Sequence, residues 1–181
     1  ADVDVLSKGR LDFGIGVGWL AEEFVAMGEP FERRGARSDD YIRLMKELWK
    51  EGASSYEGEF FQLPESYQYP LPVQTPHPPL WFGGESKPAL RRVARFGHWY
   101  GVDVLPEQVP EKMAMLKKHC DIEGRDINDV KVALCPYAHP CDRDMLKRYE
   151  DAGVHEVILA GFVPGCDALE KAIDQIAEDL I

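Results

Sequence analysis

The chain has 181 residues, 45% hydrophobic and 29% charged, with 32 acidic against 21 basic side chains and a net charge of −11. That length suits one domain with a sizeable core, and the composition is globular rather than disordered. The acidic surplus repels phosphate backbones and anionic lipid, which sets nucleic acid and membranes aside as partners.

The longest apolar runs are short, as at 157–160, and no basic-then-apolar leader opens the chain, so neither a membrane span nor a secretory signal is expected. Cys120, Cys135, Cys141 and Cys166 show no C-x-x-C or zinc-finger spacing. They read as reduced thiols of a cytoplasmic protein.

Residues 1–6 read as the end of a helix whose beginning is absent, running into Ser7-Lys8-Gly9-Arg10. Residues 11–17 (LDFGIGV) form the first expected strand, and Gly14, Gly16 and Gly18 suggest close backbone approach. An acidic, irregular stretch covers 19–37. A helix is expected over 40–51, with Tyr41, Leu44, Met45 and Leu48 at i, i+3, i+4 and i+7 and Gly52 stopping it. Residues 53–79 form a long aromatic, proline-rich excursion of the kind that serves as a lid or binding loop, with a hairpin turn at 56–60.

Next comes a buried strand at 80–83, after which Ser86 caps a helix over 87–96 with Pro88 in its first turn. Strands at 99–104, 131–135 and 155–160 alternate with helices at 106–120, 142–152 and 167–180. In the last helix Asp167 and Glu170 have capping-box spacing, and Leu169, Ile173, Ile176, Ala177 and Leu180 are expected to face inward. Five strand–helix repeats imply an α/β fold with a parallel sheet, either open and doubly wound or closed as a barrel.

Ligands of such folds sit at the C-terminal ends of the strands. That rule selects 16–19, 83–86, 103–105, 136–139 and 161–164. In Gly83-Gly84-Glu85-Ser86 two glycines admit a ligand to the backbone, and the helix opened by Ser86 favours an anion such as phosphate. A tight turn with an ordinary serine cap would have the same sequence. Gly14-x-Gly16-x-Gly18 lacks G-x-G-x-x-G spacing, and glycines packing a barrel strand account for it. His139 and Cys141 stand in an AHPC string without further ligands nearby, so no metal is expected. No G-x-S-x-G elbow supports serine hydrolysis. Glu22-Glu23 and Glu57/Glu59 read as solvated carboxylates. Arg33, Arg34 and Arg37 are expected to hold either an anionic cofactor tail or Glu22, Glu23 and Glu32.

Several strings together resemble the luciferase-like flavin- and F420-dependent oxidoreductases. They are Leu6-Ser7-Lys8-Gly9-Arg10, Phe13-Gly14-Ile15-Gly16-Val17-Gly18-Trp19, Glu23-Phe24, Met27-Gly28-Glu29-Pro30-Phe31 and Arg33-Arg34-Gly35. Leu48-Trp49, Tyr56-Glu57-Gly58-Glu59-Phe60, the run from Pro72 to Trp81, Phe82-Gly83-Gly84-Glu85-Ser86 and Ala94-Arg95-Phe96-Gly97-His98-Trp99 follow in order. The second half matches in its strand–helix rhythm.

The resemblance implies a (β/α)8 TIM barrel that binds FMN or F420 and acts as a monooxygenase or hydride-transfer enzyme on a small-molecule substrate. It implies cofactor contact by Val17, Gly18 and Trp19 after the fourth barrel strand and by Gly83, Gly84, Glu85 and Ser86 after the fifth. His139 and Glu85 are the side chains to which catalysis is assigned. Such a barrel takes about 250 residues, so this chain would supply strands four to eight as a single, N-terminally incomplete domain. Two sheet edges would then be open, and a homo-oligomer is expected to cover them. The alternative is a non-catalytic α/β binding or self-assembling protein derived from the barrel.

Overall fold

The computed structural model describes residues 1–161 and 163–180. In chain order the elements are α1 (Asp2–Ser7), β1 (Phe13–Ile15), α2 (Ala21–Ala26), α3 (Arg34–Leu48), β2 (Ser54–Glu57), β3 (Gln62–Ser66), β4 (Leu80–Gly83) and α4 (Lys87–Phe96). They continue with β5 (His98–Val102), α5 (Val109–Glu123), β6 (Val132–Cys135), α6 (Arg143–Asp151), β7 (Glu156–Val157) and α7 (Cys166–Leu180). Five strands form one parallel sheet in the order β1-β4-β5-β6-β7, while β2 and β3 make a separate antiparallel hairpin. The fold is α/β, as the alternation predicts. No helix among the described residues is long and apolar enough to cross a membrane.

The chain divides into two compact units, Ala1–Trp81 and Phe82–Ile181. In the first, two buried carboxylates do the stitching. Asp4 of α1 accepts the Val73 N–H (2.8 Å), the Gln74 N–H (3.0 Å) and Gln74 Nε2 (2.8 Å), which ties the proline-rich segment back to the first helix. Asp40 of α3 accepts the Tyr56 hydroxyl and the N–H groups of Phe60 (2.8 Å) and Phe61 (3.1 Å) at the hairpin tip. Gly58 is obligatory there, because a Cβ would run into the Asp40 carboxylate. Burial pushes both carboxyl pKa values up, but the hydrogen bonds outweigh it and hold both below the ordinary 3.8.

In the second unit, α4 sets Leu90, Val93 and Ala94 into the core, and Trp99 and Leu134 are fully buried. Each large apolar side chain so buried stabilises the unit by about 1.5–3 kcal/mol. Arg125 lies just past α5, and its Nη1 donates to the carbonyls of Val93 (3.0 Å) and Gly97 (2.7 Å), a cation set on the C-terminal end of α4. Strands β5 and β6 pair in register, Tyr100 opposite Ala133 and Val102 opposite Cys135. Tyr100, Val102, Ala133 and Cys135 therefore share one face of the sheet.

Several expectations are corrected. Strand β1 keeps only three residues of the expected 11–17, because glycine contributes no side chain to strand packing. The irregular stretch 19–37 contains α2, whose Glu22 and Glu23 suit the N-terminal dipole, with Gly28 in a left-handed conformation (φ 72°) beyond its end. Helix α3 begins at Arg34, six residues before the expected start, because its first two turns carry few apolar residues. Strand β5 stops at Val102, since Asp103 turns to φ 53°. Strand β7 is two residues long. The apolar stripe of α7 does not face a core: Leu169 is 43% and Ile173 54% exposed, and no residue of that helix is buried. Of the segment 161–164, Phe162 lies outside the described residues.

Candidate functional site

The turn after β4 is the most constrained of the expected ligand segments. Ser86 is the N-cap of α4, with its Oγ 3.4 Å from the Ala89 N–H and its carbonyl accepting the Leu90 N–H at 2.9 Å. Pro88 brings no N–H to that first turn. Gly84 sits at φ 109°, and a Cβ on it would lie 3.1 Å from the Ala89 Cβ. Its carbonyl accepts the indole N–H of buried Trp99 (3.0 Å) and its N–H donates to the Tyr100 carbonyl (3.3 Å). Gly83 is exposed, and a Cβ built there meets no atom within 4 Å. One glycine is thus required by the fold, and the other leaves the backbone open to a ligand.

Glu85 is pinned at both ends. Its Oε1 accepts the Val102 N–H (2.8 Å), and its carbonyl accepts Nζ of Lys112 from α5 (3.3 Å). The lysine, 27 residues away, puts a cation on a turn for which the sequence suggests only the Ser86 hydroxyl and backbone N–H groups as donors. Tyr100 and Cys135 also escaped that reasoning. Burial pushes the Tyr100 hydroxyl pKa up, and the Cys135 thiol and the Glu85 carboxylate add to the rise, so the phenol stays protonated. The period-2 alternation of two parallel strands was the one available signal for this pair.

His139 is exposed on the segment after β6, with its N–H donating to the Pro136 carbonyl at 3.1 Å. It lines a cleft of about 260 Å³ together with Glu107, Asp142 and Arg148. Arg148 pairs with Glu107 at 2.8 Å.

In the first unit, Val17, Gly18 and Trp19 follow β1. Gly18 has φ 78°, and a Cβ there would fall 2.6 Å from the Phe24 ring. Its carbonyl accepts Arg34 Nε (2.9 Å), and that guanidinium lies 3.9 Å over the Phe31 ring. The Trp19 side chain is 80% exposed. A cavity of about 520 Å³ opens between Phe13, Ile15 and Val17 of the β1 segment and Tyr41, Ile42 and Met45 of α3.

The three arginines meet protein partners other than the expected carboxylates. Arg33 pairs with Glu59 (2.5 Å), and Arg37 donates to the Pro30 carbonyl and lies 3.8 Å from Glu29. Glu22, Glu23 and Glu32 are not their partners in these bonds. Gly14 and Gly16 have open space where a Cβ would be, so crowding does not explain them.

The chain is similar to several known proteins. A dimethylsulfone monooxygenase of Pseudomonas putida, described as FMNH2-dependent, is 34% identical over 103 residues, which is 55% of this chain and 28% of that protein. An uncharacterized protein of Mycobacterium tuberculosis is 30% identical over 181 residues, 99% of this chain and 63% of its own length. The chain thus spans less than two thirds of these relatives. The solved structure of an F420-dependent secondary alcohol dehydrogenase, in complex with an F420-acetone adduct, superposes over 98% of this chain and 71% of its own with a TM-score of 0.80 at 15% identity. The family model for luciferase-like monooxygenases matches residues 1–168, nearly the whole chain, and to that family the protein belongs.

Proposed function

We propose that this chain is part of an FMN- or F420-dependent oxidoreductase, and that the turn Gly83-Gly84-Glu85-Ser86 takes the anionic tail of the cofactor. The observation that carries the reading is the pairing of an open Gly83 with a geometrically fixed Gly84 at the start of α4, with Lys112 reaching the same turn. With the Ala89 and Leu90 N–H groups already bonded to Ser86, the N–H groups of Glu85, Ser86 and Lys87 are the donors left to meet an anion. Family membership and relatives described as FMNH2- and F420-dependent support the same reading. The five sheet strands are then the last five of a (β/α)8 barrel, and the protein is cytoplasmic.

When bound, such a cofactor supplies hydride transfer, or oxygen activation in its reduced flavin form. This chain's residues bind and orient it. Val17, Gly18 and Trp19 are proposed as further cofactor contacts, with Trp19 offering an exposed aromatic surface. His139 is proposed to move protons. Glu85 is the weaker candidate for that task, because one of its carboxylate oxygens already holds the Val102 N–H.

Titration of the protein with FMN and with F420, followed by cofactor fluorescence, tests the reading. Micromolar or tighter binding of either is expected, and binding of neither refutes it. One observation favours a second reading, a non-catalytic self-assembling protein: the exposed Leu169 and Ile173 on α7. Light scattering separates the two, since a monomer that binds cofactor counts against assembly as the chain's role.

A further inference from the structure

We propose, on the reading above that His139 serves the bound cofactor, that Asp103 is a positioning residue that holds the His139 segment in place. Strand β5 ends at Val102, and Asp103 follows in the left-handed region at φ 53°. Few residues with a Cβ adopt that conformation, and Asp and Asn are among those that do. The Asp103 N–H donates to the Cys135 carbonyl (2.9 Å), and its Oδ1 accepts the Ala138 N–H (2.7 Å). One residue after β5 therefore grips both ends of the turn that leaves β6.

That turn has little freedom left. The Tyr137 N–H also donates to the Cys135 carbonyl (2.9 Å), and the His139 N–H donates to the Pro136 carbonyl (3.1 Å). Pro140 then confines the His139 backbone to extended conformations. His139 sits between an anchored amide at Ala138 and a proline, with its side chain exposed. The anchor itself is braced, because the buried Tyr149 hydroxyl of α6 donates to the Val104 carbonyl at 2.9 Å.

Asp103 is exposed, as is its bond to Ala138, so a purely stabilising role would be small. A strained backbone held at the strand ends, where parallel α/β folds bind ligands, has a different use: it fixes a geometry.

Four proteins are compared: wild type, Asp103→Asn, Asp103→Ala and Asp103→Gly. Asn keeps an Oδ1 acceptor and tolerates the left-handed backbone. Gly relieves the backbone but removes the acceptor. Hydrogen exchange at the Ala138 amide is expected to quicken about tenfold in the Ala and Gly variants and to stay near wild type in Asn. The His139 imidazole resonance is followed during titration with FMN and with F420. The ring-induced shift is expected in wild type and Asn and should be lost in Ala and Gly, with melting temperatures little changed.

A full His139 response in the Gly variant would overturn the proposal, as would its loss in Asn. The Gly variant keeps the test valid should the Ala variant fail to fold. If wild type binds neither probe, the cofactor reading fails, and the exchange rates still decide whether Asp103 anchors Ala138.

Discussion

The two adjacent glycines of the β4 turn separate what the fold needs from what the proposed ligand would need. Substituting Gly84→Ala places a side chain at φ 109° and a Cβ 3.1 Å from that of Ala89, which is 7% exposed in the first turn of α4. The backbone conformation costs about 1–2 kcal/mol. Crowding against a residue too short to swing aside adds roughly 1–2 kcal/mol. A loss of about 2–4 kcal/mol lowers the melting temperature of a chain this size by roughly 5–15 °C. Gly83→Ala meets nothing within 4 Å and has no such backbone strain, so its melting temperature should match wild type. Its methyl group nevertheless stands where the cofactor tail would approach, and FMN or F420 affinity should fall about tenfold. Calorimetric melting and fluorescence titration of both variants provide the check. A Gly84→Ala protein that melts like wild type refutes the packing argument, and a Gly83→Ala protein with full cofactor affinity refutes the ligand placement.

Two further outcomes follow from the bonds at the two units. Lys112→Met should weaken FMN about five- to tenfold and leave riboflavin, which lacks the phosphate, unchanged; equal loss for both would make Lys112 a structural brace rather than a charge for the anion. Asp40→Ala strands the Tyr56 hydroxyl and the Phe60 and Phe61 N–H groups and should cost about 2–4 kcal/mol by urea unfolding. Because the folded Asp40 pKa lies below the ordinary 3.8, its contribution is complete above 3.8 and is lost as pH falls through the folded value. The stability difference between wild type and Asp40→Ala should therefore shrink in acid below about pH 4 and stay flat above about pH 5.

What the sequence made legible follows the range of the forces involved. Strand 80–83 and helix 87–96 were read to the residue, because a glycine pair, a serine cap, an N-terminal proline and an apolar stripe all act within one turn of each other. The start of α3 was not, because no apolar stripe marks it and its N-cap, Arg33, bonds to Glu59 across 26 positions. Periodicity in α7 correctly gave a helix, but a stripe of Leu169 and Ile173 states only that an apolar face exists, not that anything covers it. The same limit applies at the proposed site. The Gly83–Ser86 string is proposed from local chemistry alone, whereas Lys112 and Asp103 make their bonds to partners 27 and 35 residues distant.

Glu85 illustrates how a side chain's partners redirect an assignment made from residue type. A carboxylate beside a turn proposed to bind an anion would repel that ligand, unless its charge is engaged elsewhere. Here Oε1 accepts the Val102 N–H at 2.8 Å, and the residue's own carbonyl holds Lys112. On this geometry Glu85→Gln keeps an oxygen for Val102 and removes one like charge, worth up to about 1 kcal/mol at a partly solvated site. FMN affinity should then hold or improve several-fold, with turnover retained, while Glu85→Ala loosens the turn and weakens binding. If Glu85 were instead the catalytic acid or base, Gln would bind cofactor normally and abolish turnover. Measuring binding and turnover on the same two variants decides between a carboxylate that shapes the turn and one that moves a proton.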